Sequence, residues 1–100
     1  MPQIHYALIH APGPNWKSGV PAREQPGLGA HVEHYRALLQ TGTLKVGGPF
    51  VDEASGGIMV FEPSVALADV RTAAADDPAV KSGLLTFEIR PWAWIFHGDR

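Results

Sequence analysis

The stretch that most narrows what this chain can fold into is residues 4–10, IHYALIH. Read as a strand, it sends Ile4, Tyr6 and Leu8 one way and His5, Ala7 and Ile9 the other, because successive side chains alternate across a sheet. Apolar groups point both ways, so both faces of the sheet need a cover. Helices can cover one face. The simplest cover for the other is a second copy of the same sheet, which predicts a homodimer. His10 falls at the strand's exit, on the Tyr6 and Leu8 side.

The rest of the chain supplies the helices. Residues 30–41 read as a helix, with Val32, Tyr35 and Leu39 at i, i+3 and i+7 on one face. Gly42 stands where a left-handed C-cap is wanted. A strand follows at 43–47, where Leu44 and Val46 alternate with Lys45, and Gly47-Gly48-Pro49 closes it. The bare backbone at Gly47 and Gly48 lets a ligand or another segment come close. After a turn-rich link at 51–57, residues 58–62, IMVFE, form a short strand. Ser64 is the expected N-cap of a second helix with Leu67, Val70 and Ala74 as its buried stripe. Asp76-Asp77-Pro78 ends that helix, since the residue before a proline disfavours helical torsions. Residues 79–82 make a further turn, and 84–90 a last strand. The order β-α-β-β-α-β in one 100-residue domain predicts an α+β, ferredoxin-like fold.

Two segments do not fit a minimal sandwich. Residues 11–30 hold four prolines and four glycines, but also Trp16, Val20 and Leu28, which a solvated linker would not need. The expectation is an ordered loop that lines a site. The tail, PWAWIFHGDR, carries Trp92, Trp94, Ile95 and Phe96, much apolar surface for a chain end, and is expected to dock on a partner subunit or on the site.

Composition removes several function classes. A net charge of −2 and a pI near 6.2 leave no electrostatic footprint for nucleic acid. With no cysteine there is no disulfide and no thiolate chemistry. No run approaches the roughly 18 apolar residues of a membrane span. MPQIHYALIHAPG lacks the charged and long apolar regions of a secretory signal, so a cytoplasmic protein is expected.

The side chains left to move protons near neutral pH are mostly histidines: His5, His10, His31, His34 and His97. His31, His34 and Tyr35 share one helix edge by spacing. For any single histidine the plain reading is a polar edge in solvent. His31 improves on it by lying between the long loop and the bare Gly47-Gly48 strand end. A metal site from His31, His34 and Glu33 is poorly supported, because Glu33 points away from His31 and no His-x-x-x-His or cysteine cluster exists. Ser18, Ser55, Ser64 and Ser82 lack a nucleophile-elbow context. Gly47-Gly48-Pro49 lacks the Gly-Lys-Ser/Thr phosphate signature. Asp76 and Asp77 sit at a helix C-terminus, where the helix dipole disfavours negative charge. They are either a turn before proline or the acidic member of a His–Asp pair.

In combination these features resemble the YciI-like (YCII-related) family: a helix led by His31, Gly42 eleven residues on, the Gly48-Pro49 strand end, Ala74-Ala75-Asp76-Asp77-Pro78-Ala79-Val80 followed by Ser82-Gly83, and Glu88-Ile89-Arg90-Pro91-Trp92. The resemblance covers nearly the whole chain. It implies a dimeric ferredoxin-like α+β barrel and an active His–Asp pair, carried here by His31 with Asp77, or with Asp76. One departure is that Arg23 is separated from His31 by EQPGLGA, where the family more often has an arginine a few residues before the histidine. The Trp16-containing loop resembles a subgroup that includes an enzyme removing HCl from a chloro-hydroxyhydroquinone.

These readings imply a small cofactor-free lyase acting on a hydroxylated aromatic or quinoid. His31 is its expected base and acid and Asp77 orients it. Trp16, Tyr35, Trp92 and Trp94 are expected to wall a pocket for a flat ring. His10 and Arg23 are expected to hold phenolate oxygens, with Gly48 giving close approach. The competing hypotheses are a muconolactone-type isomerase and a non-catalytic binding or regulatory module on the same scaffold.

Overall fold

The computed structural model describes residues 2–98; Met1, Asp99 and Arg100 lie outside the described residues. The chain runs β1 (Gln3–Pro12), a 3₁₀ turn (Ala22–Glu24), α1 (Leu28–Gln40), β2 (Leu44–Pro49), β3 (Gly57–Phe61), α2 (Leu67–Asp76), α3 (Pro78–Lys81) and β4 (Leu85–Trp94). The four strands make one antiparallel sheet in the order β2-β3-β1-β4. This is the ferredoxin-like α+β arrangement expected from the element order. No helix among the described residues is long and apolar enough to cross a membrane.

Register sorts the side chains. Leu8 pairs with Met59 on one side and Ile89 on the other, so all three share its face. On that face Leu8, Leu44 and Phe61 meet Tyr35 from α1 and Val70 and Ala74 from α2. Leu8, Phe61, Val70 and Ala74 are fully buried. At about 25 cal/mol per Å² of apolar surface, such a cluster is the main stabilising element of the domain. Ala79, Leu84 and Leu85 form a second, smaller cluster, packed by Trp16 and Leu28.

Several elements differ from their sequence expectation. Ser64 does not cap α2. Glu62–Val65 closes a turn first, with the Val65 amide bonding to Glu62 O, so the helix starts after Ala66 with no side-chain cap. On α1, Tyr35 is buried, but Val32 and Leu39 are 42% and 52% exposed, because that side of the helix looks into a cleft rather than the core. The last strand does not stop at Arg90. It runs through Pro91 to Trp94, paired with β1 as far as Gln3. A proline is tolerated there because β4 is an edge strand, with no neighbour needing the missing amide hydrogen.

The long loop is ordered by named contacts. The Gly13 and Asn15 amides bond to Leu84 O and Gly83 O, and the Asn15 side-chain amide donates to Ser82 O at 2.7 Å. A Cβ on Gly13 would lie 2.5 Å from Gly83 O, so only glycine allows this approach. Buried Gln25 accepts from the Lys17 amide at 2.9 Å and donates to Lys17 O and Val20 O, both at 2.8 Å. A buried amide with its donors and acceptor satisfied holds the loop against the entropy of a free chain.

Candidate functional site

Three pieces of chain converge at the exit of β1. His10 is on the helix-facing side of that strand. His31 comes from the first turn of α1, with Tyr35 one turn on, so both aim at the same spot. Asp77 comes from the corner between α2 and α3. There the chain leaves α2 with φ −59° and ψ 121°, an extended conformation that Pro78 imposes. That corner turns Asp77 inward to full burial, while Asp76 stays exposed on α2, 3.9 Å from Lys81 Nζ. Asp77 is therefore not a misplaced charge at a helix end. It is the N-cap of α3, with Oδ1 accepting the Ala79 amide at 2.9 Å.

The other carboxylate oxygen, Oδ2, lies 2.6 Å from His31 Nδ1. Since a carboxylate only accepts, Nδ1 carries the hydrogen and donates it. This fixes the tautomer and leaves Nε2 of His31 free to exchange a proton. Burial pushes the Asp77 carboxyl up, but the His31 bond, the Ala79 amide and the charges of His31 and His10 outweigh it and hold the group below its usual value. His10 Nε2 stands 3.6 Å from the same Oδ2 and 3.4 Å from the Tyr35 hydroxyl. Burial, then the neighbouring His31, push His10 down to about 4. Burial and the Asp77 charge push the Tyr35 phenol far up, so it stays protonated. The three rings pack edge to face, with centroids 5.0 Å apart for His10–His31 and 5.1 Å for His31–Tyr35.

This cluster forms the polar floor of a cleft of about 650 Å³ between α1, the long loop and the β2–β3 hairpin. Trp16, Leu28, Val32, Leu39 and Phe50 are among its apolar walls, with Arg23, Arg36 and Lys45 at its edge. Such a shape suits a small, mostly apolar ligand with a few polar atoms at one end. Of the residues singled out by sequence, the cleft gathers His10, Trp16, Arg23, His31, Tyr35 and Gly48, with Asp77 behind the floor. Arg23 is at the rim, its side chain 84% exposed.

Trp92 and Trp94 are not brought to the cleft. Pairing of β4 with β1 sets Trp92 opposite His5 and Trp94 opposite Gln3, on the other sheet face and at the far end of β1 from His10. His34 also turns away, with Nε2 2.8 Å from Ala73 O, and Glu33 pairs with Arg36. The set His31, His34 and Glu33 thus never converges. His10, His31 and Asp77 do, with one ligand-type atom each within 4.8 Å of one another. Within this group His31 Nδ1 and Asp77 Oδ2 are already joined by the 2.6 Å bond. The geometry present is a hydrogen-bonded acid–base pair, and a cation would have to replace that bond. Sequence reasoning missed the loop anchor Gln25 and the sharing of Asp77 by two histidines. Burial of a lone glutamine and of a strand-end histidine leaves no pattern to read.

No family model and no curated protein matches this chain. The YciI-like resemblance thus has no family-model match beside it. Among solved structures, the fold is similar to that of 5-chloro-2-hydroxyhydroquinone dehydrochlorinase (TftG) from Burkholderia phenoliruptrix, in complex with 2,5-dihydroxybenzoquinone. The TM-score is 0.54 at 19% identity, covering 94% of this chain and 95% of that one. At that identity the likeness speaks for the fold. The chemistry must be argued from the residues.

Proposed function

We propose that this protein is a small acid–base enzyme acting on a hydroxylated aromatic or quinoid, with dehydrochlorination as its reaction. The observation that supports this reading best is the buried 2.6 Å His31–Asp77 bond on the floor of an apolar cleft. Its fold likeness to an enzyme solved with a dihydroxybenzoquinone adds the substrate class. In this reading Nε2 of His31 takes a hydroxyl proton from the dienone tautomer of a chloro-hydroxyhydroquinone. The freed electron pair becomes a carbonyl, the ring double bonds shift, and chloride leaves with the carbon–chlorine pair. A hydroxyquinone and HCl result, with no change in electron count and no co-reactant. Asp77 holds the ring of His31 and stabilises its charged form. Trp16 and Tyr35 stack beside the substrate ring, Gly48 lets it lie close to the β2 backbone, and Arg23 meets an anionic oxygen at the rim.

The same reading includes a homodimer formed through the uncovered sheet face and no requirement for a metal. The test is turnover of chlorinated and plain hydroxyquinols, followed by ultraviolet spectrum and chloride release, with and without EDTA. Chloride release unaffected by EDTA is expected. A product isomeric with its substrate would make the protein an isomerase instead, and tight binding without turnover would make it a binding module. Loss of turnover with EDTA and recovery with zinc would overturn the cofactor-free part.

A further inference from the structure

His10 is the least explained group in the site. It is 2% exposed, and its Nδ1 has no hydrogen-bond partner among the described residues. Its backbone is held as firmly as its side chain. Gly56, at φ +82°, packs so close to the carbonyl of His10 that any Cβ there would collide with it. The β2–β3 hairpin therefore locks the strand end that carries His10.

The tautomer follows from the surroundings. A hydrogen on Nδ1 would be a buried N–H with nothing to bond, and would leave the Nε2 lone pair facing an anionic carboxylate oxygen. Both arrangements are costly. With the hydrogen on Nε2, the donor faces Asp77 Oδ2 at 3.6 Å and the Tyr35 oxygen at 3.4 Å. Both contacts are longer than an ordinary hydrogen bond, so the donor lies between two acceptors and is held closely by neither. A second hydrogen, on Nδ1, would again be unpartnered and would put a charge in a buried place. The charged or titratable groups facing His10 are His31, His34 and Tyr35 from α1, and Asp77 from the α2–α3 corner.

We propose that His10 is a positioning residue, a neutral imidazole whose Nε2–H is shared between Asp77 and Tyr35, so that the carboxylate keeps one orientation toward His31. This rests on the reading of His31 as the base. It gives His10 a different task from holding a substrate oxygen. The imidazole acts on the acid that acts on the base. Burial that keeps it neutral is consistent with that task, since a group held near 4 stays uncharged across the physiological range.

The test compares three variants at one position. His10→Gln sets an amide nitrogen near the place of Nε2 and cannot take a charge. His10→Phe keeps the ring and loses the donor. His10→Asn keeps an amide but sets it nearer the place of Nδ1. The expected kcat is within about threefold of the parent for Gln and lower by about tenfold or more for Phe and Asn, with KM within about threefold throughout. A packing role predicts the reverse order, Phe at or above Gln, and a substrate contact predicts a KM rise in Phe. Either result overturns the proposal. If His10→Phe does not fold, His10→Asn decides alone.

A second readout needs no substrate. The His31 Nδ1 proton, bonded to a carboxylate, gives a downfield resonance that should persist in the Gln variant and move or vanish in Phe and Asn. If it is unchanged in Phe and Asn, His10 does not position the pair. If it changes as expected while the parent turns over none of the hydroxyquinols, the positioning role stands and the proposed function fails.

Discussion

The two faces of the sheet are finished differently. The helix-facing side carries Leu8, Leu44 and Phe61 under two helices, and its one polar island, His10–His31–Tyr35–Asp77, is tied into a network. The other side carries Ala7, Ile9, Ile58 and Val46 with no helix over them. Its buried histidine, His5, lies under Trp94 at 4.8 Å, with Lys45 and His97 against Trp94 at 5.3 and 5.6 Å, while Glu88 and Arg90 on the same face are exposed. His5 Nδ1 donates to Phe61 O at 2.7 Å, while its Nε2 is buried without a partner among the described residues. Val46, Trp92, Ile95 and Phe96 are 51%, 45%, 58% and 99% exposed. Each face thus buries one ring nitrogen without a partner among the described residues, His10 Nδ1 on one side and His5 Nε2 on the other, but only the helix-facing side gathers its polar side chains into a hydrogen-bonded cluster.

The largest effect should come from the helix-facing side. Under the proposed function, His31→Ala removes the base and should lower kcat by about 10²–10⁴, the usual range for general acid–base catalysis. Asp77→Asn keeps the shape of the acceptor but allows the other tautomer, so kcat should fall with KM nearly unchanged. The double variant should be little worse than His31→Ala alone, since paired residues are not additive. Steady-state kinetics on variants with parent-like circular dichroism would check this. Near-parent turnover in His31→Ala would break the assignment of chemistry to this face.

Much of this contrast was legible in the sequence. The two-sided apolar pattern of residues 4–10 matches a strand with apolar groups on both faces of the sheet, and the helix carrying His31 stops before Gly42 as its spacing predicts. The choice between Asp76 and Asp77 was not legible. Both precede the same proline, and only the extended torsions at residue 77 turn one inward. The place of Trp92 depended on whether β4 ended at Pro91, which turns on β4 being an edge strand, a fact of topology. The burial of His10 likewise depends on helices contributed from elsewhere in the chain.

Acid should expose the same difference through stability. His10 has an ordinary value of 6.5 and is held at about 4 in the fold. Between those values the unfolded chain takes up a proton that the folded chain refuses, so stability falls as pH drops through that window. Linkage puts the loss at up to about 3 kcal/mol, complete near pH 4. Asp77 acts lower. Its depressed carboxyl gives stability that is present above the ordinary value of 3.8 and lost as pH falls through its folded value. Urea unfolding across pH should therefore show two successive losses. His10→Gln should remove the first and keep the second. A single loss below pH 4 in the parent would mean that His10 is hydrated and charges freely.

A smaller effect is expected from the uncovered face. If a second copy covers it, Trp92→Glu sets a charge in the contact twice over and should weaken dimerisation by about thirtyfold or more, as truncating a central aromatic anchor does. Sedimentation over a range of concentrations would measure it. The His31 downfield resonance should stay in place, because Trp92 lies on the other side of the sheet from the pair. A parent that sediments as a monomer at micromolar concentration would remove the reason for the bare apolar surface.

The smallest expected effect tests whether position on a helix edge or the partner of the ring decides a role. His34 shares its edge of α1 with His31 and lies against Tyr35, with ring centroids 4.9 Å apart. Its Nε2, however, meets Ala73 O at 2.8 Å, and a carbonyl can only accept, so that nitrogen carries the hydrogen. The bond ties α1 to α2 and offers nothing to the cleft. His34→Ala should therefore cost about 1 kcal/mol of stability, the usual net value of one such bond, and leave kcat within about twofold. The pair of variants separates the two contributions. Under the proposed function His31→Ala should lower kcat by about 10²–10⁴, whereas His34→Ala should lose stability and leave kcat near the parent value. If His34→Ala proves the more damaging to turnover, the reacting histidine is the one bonded to a carbonyl, and the assignment of the base to the Asp77 partner is wrong.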